Sequence, residues 1–418
     1  MNTYLNKLFT NSLFQEGGQI STSNALEWIR EQNRKVKVDI REIPFSQLKN
    51  WNFRADALRH DSGKFFSIDG IRVSTNYGYV AQWDQPIINQ PEIGYLGFIT
   101  KEFNGVLHFL MQAKIEPGNI NYVQLSPTLQ ATKSNYSQVH KGNAPAYLDY
   151  FRNARKEQIL LGQLQSEQGA RFLKKRNRNI IIKIDEEIEV LDNFIWLTLG
   201  QIKELMKIDN IVNMATRTVI SGIPLMDSSL ENLDNMVSDS INFKETGFNW
   251  GLLKSCAYDA TSANSLDDII QFITAHKCNL ELSIEKIPLT LLNSWVITDK
   301  SIHHQEHKYF EIIAADIEIG NREVVNWSQP MVKPLQEGIC AFICKNINGV
   351  LHFIVQAKLE CGNFDIIELA PTVQCLTDNY KTDISMEGLP FLKDVLSSKT
   401  ESRIFDTYQS EEGGRFFQ

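Results

Sequence analysis

NGVLHFLMQAKIEPGN at 104–119 returns as NGVLHFIVQAKLECGN at 348–363, an offset of 244 residues. The same offset carries Pro44 to Pro288, Trp51 to Trp295, WDQP (83–86) to WSQP (327–330), SPTLQ (126–130) to APTVQ (370–374) and SEQGARF (166–172) to SEEGGRF (410–416). Between 94–136 and 338–380, 22 of 43 positions are identical without a gap. A unit this long is a whole domain and not a solenoid repeat. The expected organisation is therefore an internal duplication: a first repeat over 1–207, a connector over 208–263 and a second repeat over 264–418. After SEQGARF the first repeat continues with a basic run and two further elements. The second stops soon after SEEGGRF and is expected to lack them.

Within the repeat, helix and strand signals alternate. A helix is expected at 23–33, with Ser21 or Ser23 as its cap, and a matching one at 267–277. Strands are expected at about 65–73, 93–100, 105–115, 120–126 and 179–184, a helix-rich stretch at 145–164 and an amphipathic helix at 193–207. This mixture implies an α/β (α+β) layered domain.

The chain has 418 residues, is 43% hydrophobic and 22% charged, and carries a formal net charge of −8. That balance lacks the basic footprint of a nucleic-acid or anionic-membrane binder. The six cysteines form no CxxC pair, and no stretch has the apolar length of a signal peptide core or a membrane span. A cytoplasmic protein with reduced thiols is the simplest reading. His303, His304 and His307 have only His60 at the matching first-repeat positions, so no metal site is expected. GxGxxG, Walker, HExxH and GxSxG signatures are all absent.

Period-two alternation puts Leu107, Phe109, Met111 and Ala113 on one face of the 105–116 strand. His108, Leu110, Gln112, Lys114 and Glu116 share the other, which either faces solvent or lines a cleft. The following loop offers Ser134, Asn135, Tyr136, Ser137, Gln138 and His140 as donors, an aromatic face and a proton carrier. Tyr380 repeats Tyr136, whereas Ile384 replaces His140. Arg171 and Arg415 are either partners of Glu167 and Glu411 on a helix or free to grip a phosphate from a turn. The run Arg171, Lys174, Lys175, Arg176, Arg178 reads as a solvated face, or as positive field for a diphosphate. Trp51, Trp83, Trp295 and Trp327 are core residues or stacking platforms.

Together the segments LHFLMQAKIEPGN, VQLSPTLQATKSNYSQVHKG, SEQGARFLKKRNRN, NMATRTVISGIP, APTVQC and SEEGGRF resemble the NDP-hexose 2,3-dehydratase family of deoxysugar biosynthesis, over nearly the whole chain. The resemblance implies two tandem Nudix-like α/β/α domains, a homodimer and dTDP-4-keto-6-deoxyglucose as substrate, with a 3-ketoreductase acting downstream. It requires neither cofactor nor metal. The carboxylate-rich Nudix hydrolase signature is absent, which disfavours a nucleotide-sugar hydrolase. A binding module that has lost its chemistry is the other alternative. On the dehydratase reading, Tyr136, His140, His108 and Lys114 are candidates for acid, base and enolate support. Trp51, Trp83, Gln112, Ser134, Asn135, Ser137, Gln138 and Arg171 are candidates for substrate contact. Trp295, Pro371, Thr372, Tyr380 and Arg415 are their candidates in the second repeat, and the first-repeat pocket is the one expected to be catalytic.

Overall fold

The computed structural model describes residues 3–14, 18–54, 56–136, 144–224, 248–256, 262–320, 325–376 and 389–417. It is a mixed α/β chain of predominantly antiparallel sheets. The decisive strand, Val106–Ile115, pairs with Gly94–Phe103 through a hairpin whose turn is Asn104-Gly105, at φ 52° and 78°. Asn-Gly supplies the two left-handed positions that such a turn needs, and Asn348-Gly349 repeats it at φ 53° and 82°. Around this hairpin grows a seven-stranded sheet, in which Arg176–Lys183 and Gly94–Phe103 form a parallel pair.

As expected from alternation, Leu107, Phe109, Met111 and Ala113 are buried in one core. The opposite face is covered too at mid-strand, where Leu110 joins a second core with Ile99, Phe151, Ile180 and Trp196. The helices Thr22–Lys35 and Leu266–Asn279 form where their caps predict, with Ser21 and Ser265 accepting from Asn24 N and Asp268 N. Two expectations fail. Of 193–207, Phe194–Thr198 is a strand on Val106–Ile115, and only Leu199–Leu205 is helical. Of 145–164, Leu148–Arg152 is helical, while Ile159–Ser166 pairs with Arg176–Lys183. In both cases a free sheet edge captured residues whose local pattern also fits a helix.

The two remaining large sheets exchange strands. Val38–Ile43 does not pair within the first half of the chain. It lies antiparallel on Phe310–Ile319, in register from Val38↔Ile319 to Ile43↔Ala314. Reciprocally, Leu282–Ile287 lies on Ser67–Thr75, from Leu282↔Thr75 to Ile287↔Gly70. The two indoles seal the exchange: Trp51 Nε1 donates to Ser328 O (3.0 Å) and Trp295 Nε1 to Asp84 O (2.7 Å). One core then serves both halves, uniting Trp51, Leu58, Phe66 and Phe172 with Leu289, Trp295, Phe310 and Phe416. Trp51→Phe keeps most of the apolar volume but leaves the buried Ser328 carbonyl unpartnered, which should cost about 2 kcal/mol. Urea unfolding checks this, and an unchanged midpoint would refute the bond's importance.

The halves differ outside these sheets. In the second, the residues matching the seven-stranded sheet form three two-stranded pieces, among which Phe342, Phe353, Ile354, Val355 and Leu369 are exposed. Leu266–Asn279 buries no residue, whereas Thr22–Lys35 buries Ala25 and Ile29. No helix among the described residues is long and apolar enough to cross a membrane.

Candidate active site

A cavity of about 490 Å³ opens at the far end of Val106–Ile115, where that strand meets the exchanged sheets. The scale suits a nucleotide-sized ligand. Trp51, Phe65, Phe66, Tyr95, Phe172 and Trp327 supply aromatic wall; Lys114, Glu116, Glu167, Lys175, Glu412 and Arg415 supply charge. Trp327, Glu412 and Arg415 come from the second half, so neither half encloses this space alone.

Each charged group has a structural reason for its position. Lys114 and Glu116 end the central strand and its following turn, alternate residues on one face. Glu116 is buried and accepts from Gln130 Nε2 (2.7 Å) and Asn213 Nδ2 (3.5 Å). Lys175, despite its place in the basic run, is buried and donates to the carbonyl of Glu92. The run as a whole is not a solvated face. Arg171 and Arg176 lie over the rings of Phe310 and Phe364 (4.0 and 3.7 Å), and Lys174 alone is exposed. Arg415 lies 4.3 Å from the centre of the Phe66 ring. SEQGARF and SEEGGRF are turns, not helices, and each docks on the other half: Gly118 N donates to Gly413 O, and Gly362 N to Gly169 O, both at 2.7 Å.

Burial dominates the electrostatics. It pushes the Glu412 carboxyl well above the usual carboxylate range; the Glu116 charge adds to the effect and Arg415 opposes it. It pushes the Glu167 carboxyl up as well, and pulls the Lys175 ammonium down to about 8 against the charges of Glu167 and Glu92. His60 also lines the space, its ring edge-on to Trp51 at 5.3 Å and its Nδ1 2.8 Å from Ser62 Oγ. Burial lowers its pKa while Asp61 raises it. Such a site can retain a proton on a carboxyl at neutral pH beside a second carboxylate and two amines. That is acid–base equipment.

Of the residues assigned from sequence to catalysis or substrate contact, Lys114, Trp51 and Arg415 line the cavity. His108 shares a face with Lys114 but lies six residues away along a strand, roughly 20 Å at about 3.3 Å per residue. Its ring is sealed edge-on against Phe103, its Nδ1 meets Val106 O at 2.9 Å, and its buried Nε2 has no hydrogen-bond partner. Gln112 sits mid-strand opposite Ser126 and Phe194. Trp83 donates to Gln85 Oε1, and Ser134 holds the Glu92 carboxylate through N and Oγ. Arg171 and Trp295 are consumed by Phe310 and Asp84 O. Thr372 takes a hydrogen bond from Ile343 N and gives one to Ile354 O, as Thr128 does between Ile99 N and Leu110 O; Pro371 ends the strand before it. Ser137, Gln138, His140 and Tyr380, and the side chains of Asn135 and Tyr136, lie outside the described residues.

Glu412 and His60 are not among the candidate site residues read from sequence, and Lys175 is read there only as part of the basic run. One signal was present: where the first repeat reads Glu167-Gln168, the second reads Glu411-Glu412, an additional carboxylate. Gln168 stands at the sequence position equivalent to Glu412 and donates to Glu411. Glu412 of the second half thus adds a carboxyl that interacts with Glu116 of the first.

The family model for NDP-hexose 2,3-dehydratase matches residues 22–223 and again 266–418. A dTDP-4-dehydro-6-deoxy-α-D-glucopyranose 2,3-dehydratase of Saccharopolyspora spinosa is 43% identical over 96% of this chain and 81% of its own length. Proteins of the same name from Amycolatopsis orientalis (37% identical over 99% and 83%) and Streptomyces violaceoruber (39% over 93% and 84%) are also similar. The chain belongs to the NDP-hexose 2,3-dehydratase family.

Proposed function

We propose that this hydro-lyase removes water across C2 and C3 of dTDP-4-keto-6-deoxyglucose, in the cavity between the halves. The carrying observation is the buried Glu412 carboxyl beside Glu116, with Lys114 and Lys175 on the same walls. The substrate's 4-keto group makes the C3 proton removable. Glu116 takes that proton and the Lys114 ammonium stabilises the enolate oxygen at C4. The enolate then expels the C2 hydroxyl as water with the proton of Glu412. The C2=C3 enol that remains tautomerises to a 3,4-diketo-2,6-dideoxy sugar. No electrons enter or leave. Trp51, Trp327 and Phe66 offer stacking surface to base and sugar, and Arg415 and Lys49 offer charge to the diphosphate. Tyr136 and His140, which follow Thr132 in the sequence, remain proposed donors.

The architecture that fits this reading is two tandem Nudix-like units from one duplication, spanning 1–207 and 264–418 around a 208–263 connector. The 244-residue offset between corresponding elements and hydrogen bonds supports it. We further place the enzyme in the cytoplasm as a homodimer that supplies a 3-ketoreductase. Incubation with dTDP-4-keto-6-deoxyglucose, a 3-ketoreductase and NADPH tests the activity. NADPH loss with a 2-deoxy product is expected. Binding without turnover, or release of free dTMP, would overturn it.

A further inference from the structure

We propose that Arg217, which does not line the cavity, is a positioning residue that holds Glu412 at its place opposite Glu116. The inference rests on the acid role given to Glu412 above.

The geometry is that of a bracket. The short helix Met214–Ile220 lies in the segment between the halves, and its Met214, Ala215 and Thr218 form part of the cavity wall. Its cap, Asn213, accepts from Thr216 N (2.9 Å) and turns its Nδ2 toward Glu116 Oε2 (3.5 Å) and Gln130 Oε1 (3.0 Å). From the same helix Arg217 reaches the other way. Nη1 donates to Val212 O (2.6 Å) and Gln409 Oε1 (2.9 Å), and Nη2 donates to Ser410 O (2.6 Å). One helix thus touches Glu116 at its start and grips the chain two residues before Glu412. All three acceptors of Arg217 are neutral oxygens. The side chain therefore acts here through its fork geometry, which a lysine cannot reproduce.

Other bonds hold the same segment but not the same point. Gln409 Nε2 donates to Met206 O (2.8 Å), Ser410 Oγ to Gln124 Oε1 (2.7 Å), and Gly413 O accepts from Gly118 N (2.7 Å). Without Arg217 the chain stays docked on both sides of Glu412, while the Ser410 carbonyl, two residues before it, is released. Water then reaches the carboxyl, and the burial that keeps its proton weakens.

The test is Arg217→Met, with Arg217→Lys beside it, read as kcat, KM and the pH profile of kcat. Small displacements of a reacting group cost up to ~10²-fold, so kcat in R217M should fall about 30- to 100-fold with KM within about threefold. The alkaline limb should move to lower pH, since a hydrated carboxyl loses its proton earlier. R217K should fall between wild type and R217M on both measures. A folded R217M with wild-type kcat and limb overturns the proposal. So does a loss of kcat with the limb unmoved, which is what a merely structural role produces. If R217M does not fold, R217K is judged on the same limb. Glu412→Gln separates the two levels: wild-type activity there refutes the acid role itself, whereas an inactive E412Q with unaffected Arg217 variants refutes the positioning alone.

Discussion

Glu412→Gln should lower kcat by about 10²- to 10⁴-fold with little change in KM, because the amide fills the same space and has no acid proton to give. The pH behaviour makes the expectation specific. The Glu412 carboxyl titrates well above its unfolded value, chiefly through burial and then through the Glu116 charge. Wild-type turnover should fall at alkaline pH as that proton is lost. If deprotonation of Lys175, brought down to about 8, set the limb instead, the residual activity of E412Q would retain it. Wild-type stability should fall over the same rise in pH as activity. A carboxyl with a raised folded pKa stabilises fully below its unfolded pKa, and that contribution is lost as pH rises through the folded value. The neutral amide has no such loss, so the melting temperature of E412Q should gain on wild type from about pH 5 to pH 8. An unchanged difference across that window would remove Glu412 as the proton holder.

Gly118→Ala should be the most damaging small substitution, costing about 3 kcal/mol or more of stability and most of the activity. A Cβ there would fall on the carbonyl oxygen of Phe416, a backbone atom with no rotamer to escape into. Nor can Phe416 retreat. Phe417 N donates to Val332 O (2.7 Å), Val332 N to Arg415 O (2.8 Å), and Phe416 N to Glu412 O (3.0 Å). The clash therefore lands on the turn carrying Glu412 and on the turn carrying Glu116, and it separates them. Denaturant unfolding together with the coupled NADPH assay checks both halves of the statement. A variant as stable as wild type would show that this docking is loose.

The strand pairings and caps that rest on local signals are legible in the sequence: Asn-Gly fixes the two hairpins, and Leu107, Phe109, Met111 and Ala113 announce their buried face. Phe194–Thr198 and Ile159–Ser166 are not, because their strand state depends on sheet edges built by distant residues. The site divides the same way. Lys114 and Glu116 stand at the end of a readable strand. Glu412 and Lys175 read as solvent-exposed charge until the second half folds over the first, and nothing local encodes that crossing. His108 marks the converse lesson: a shared strand face is a direction and not a location.

The reciprocal placement of Val38–Ile43 and Leu282–Ile287 has a consequence for inheritance. Neither half can be deleted, traded for a foreign counterpart or left to decay, since each would take with it an edge of the other's sheet and one side of the Glu116–Glu412 pair. A substitution in Ile40 is felt by Ile317, and one in Ile284 by Val73, so compensating changes should arise in the opposite half of the gene. With the strands crossed, the two halves form a single unit of selection.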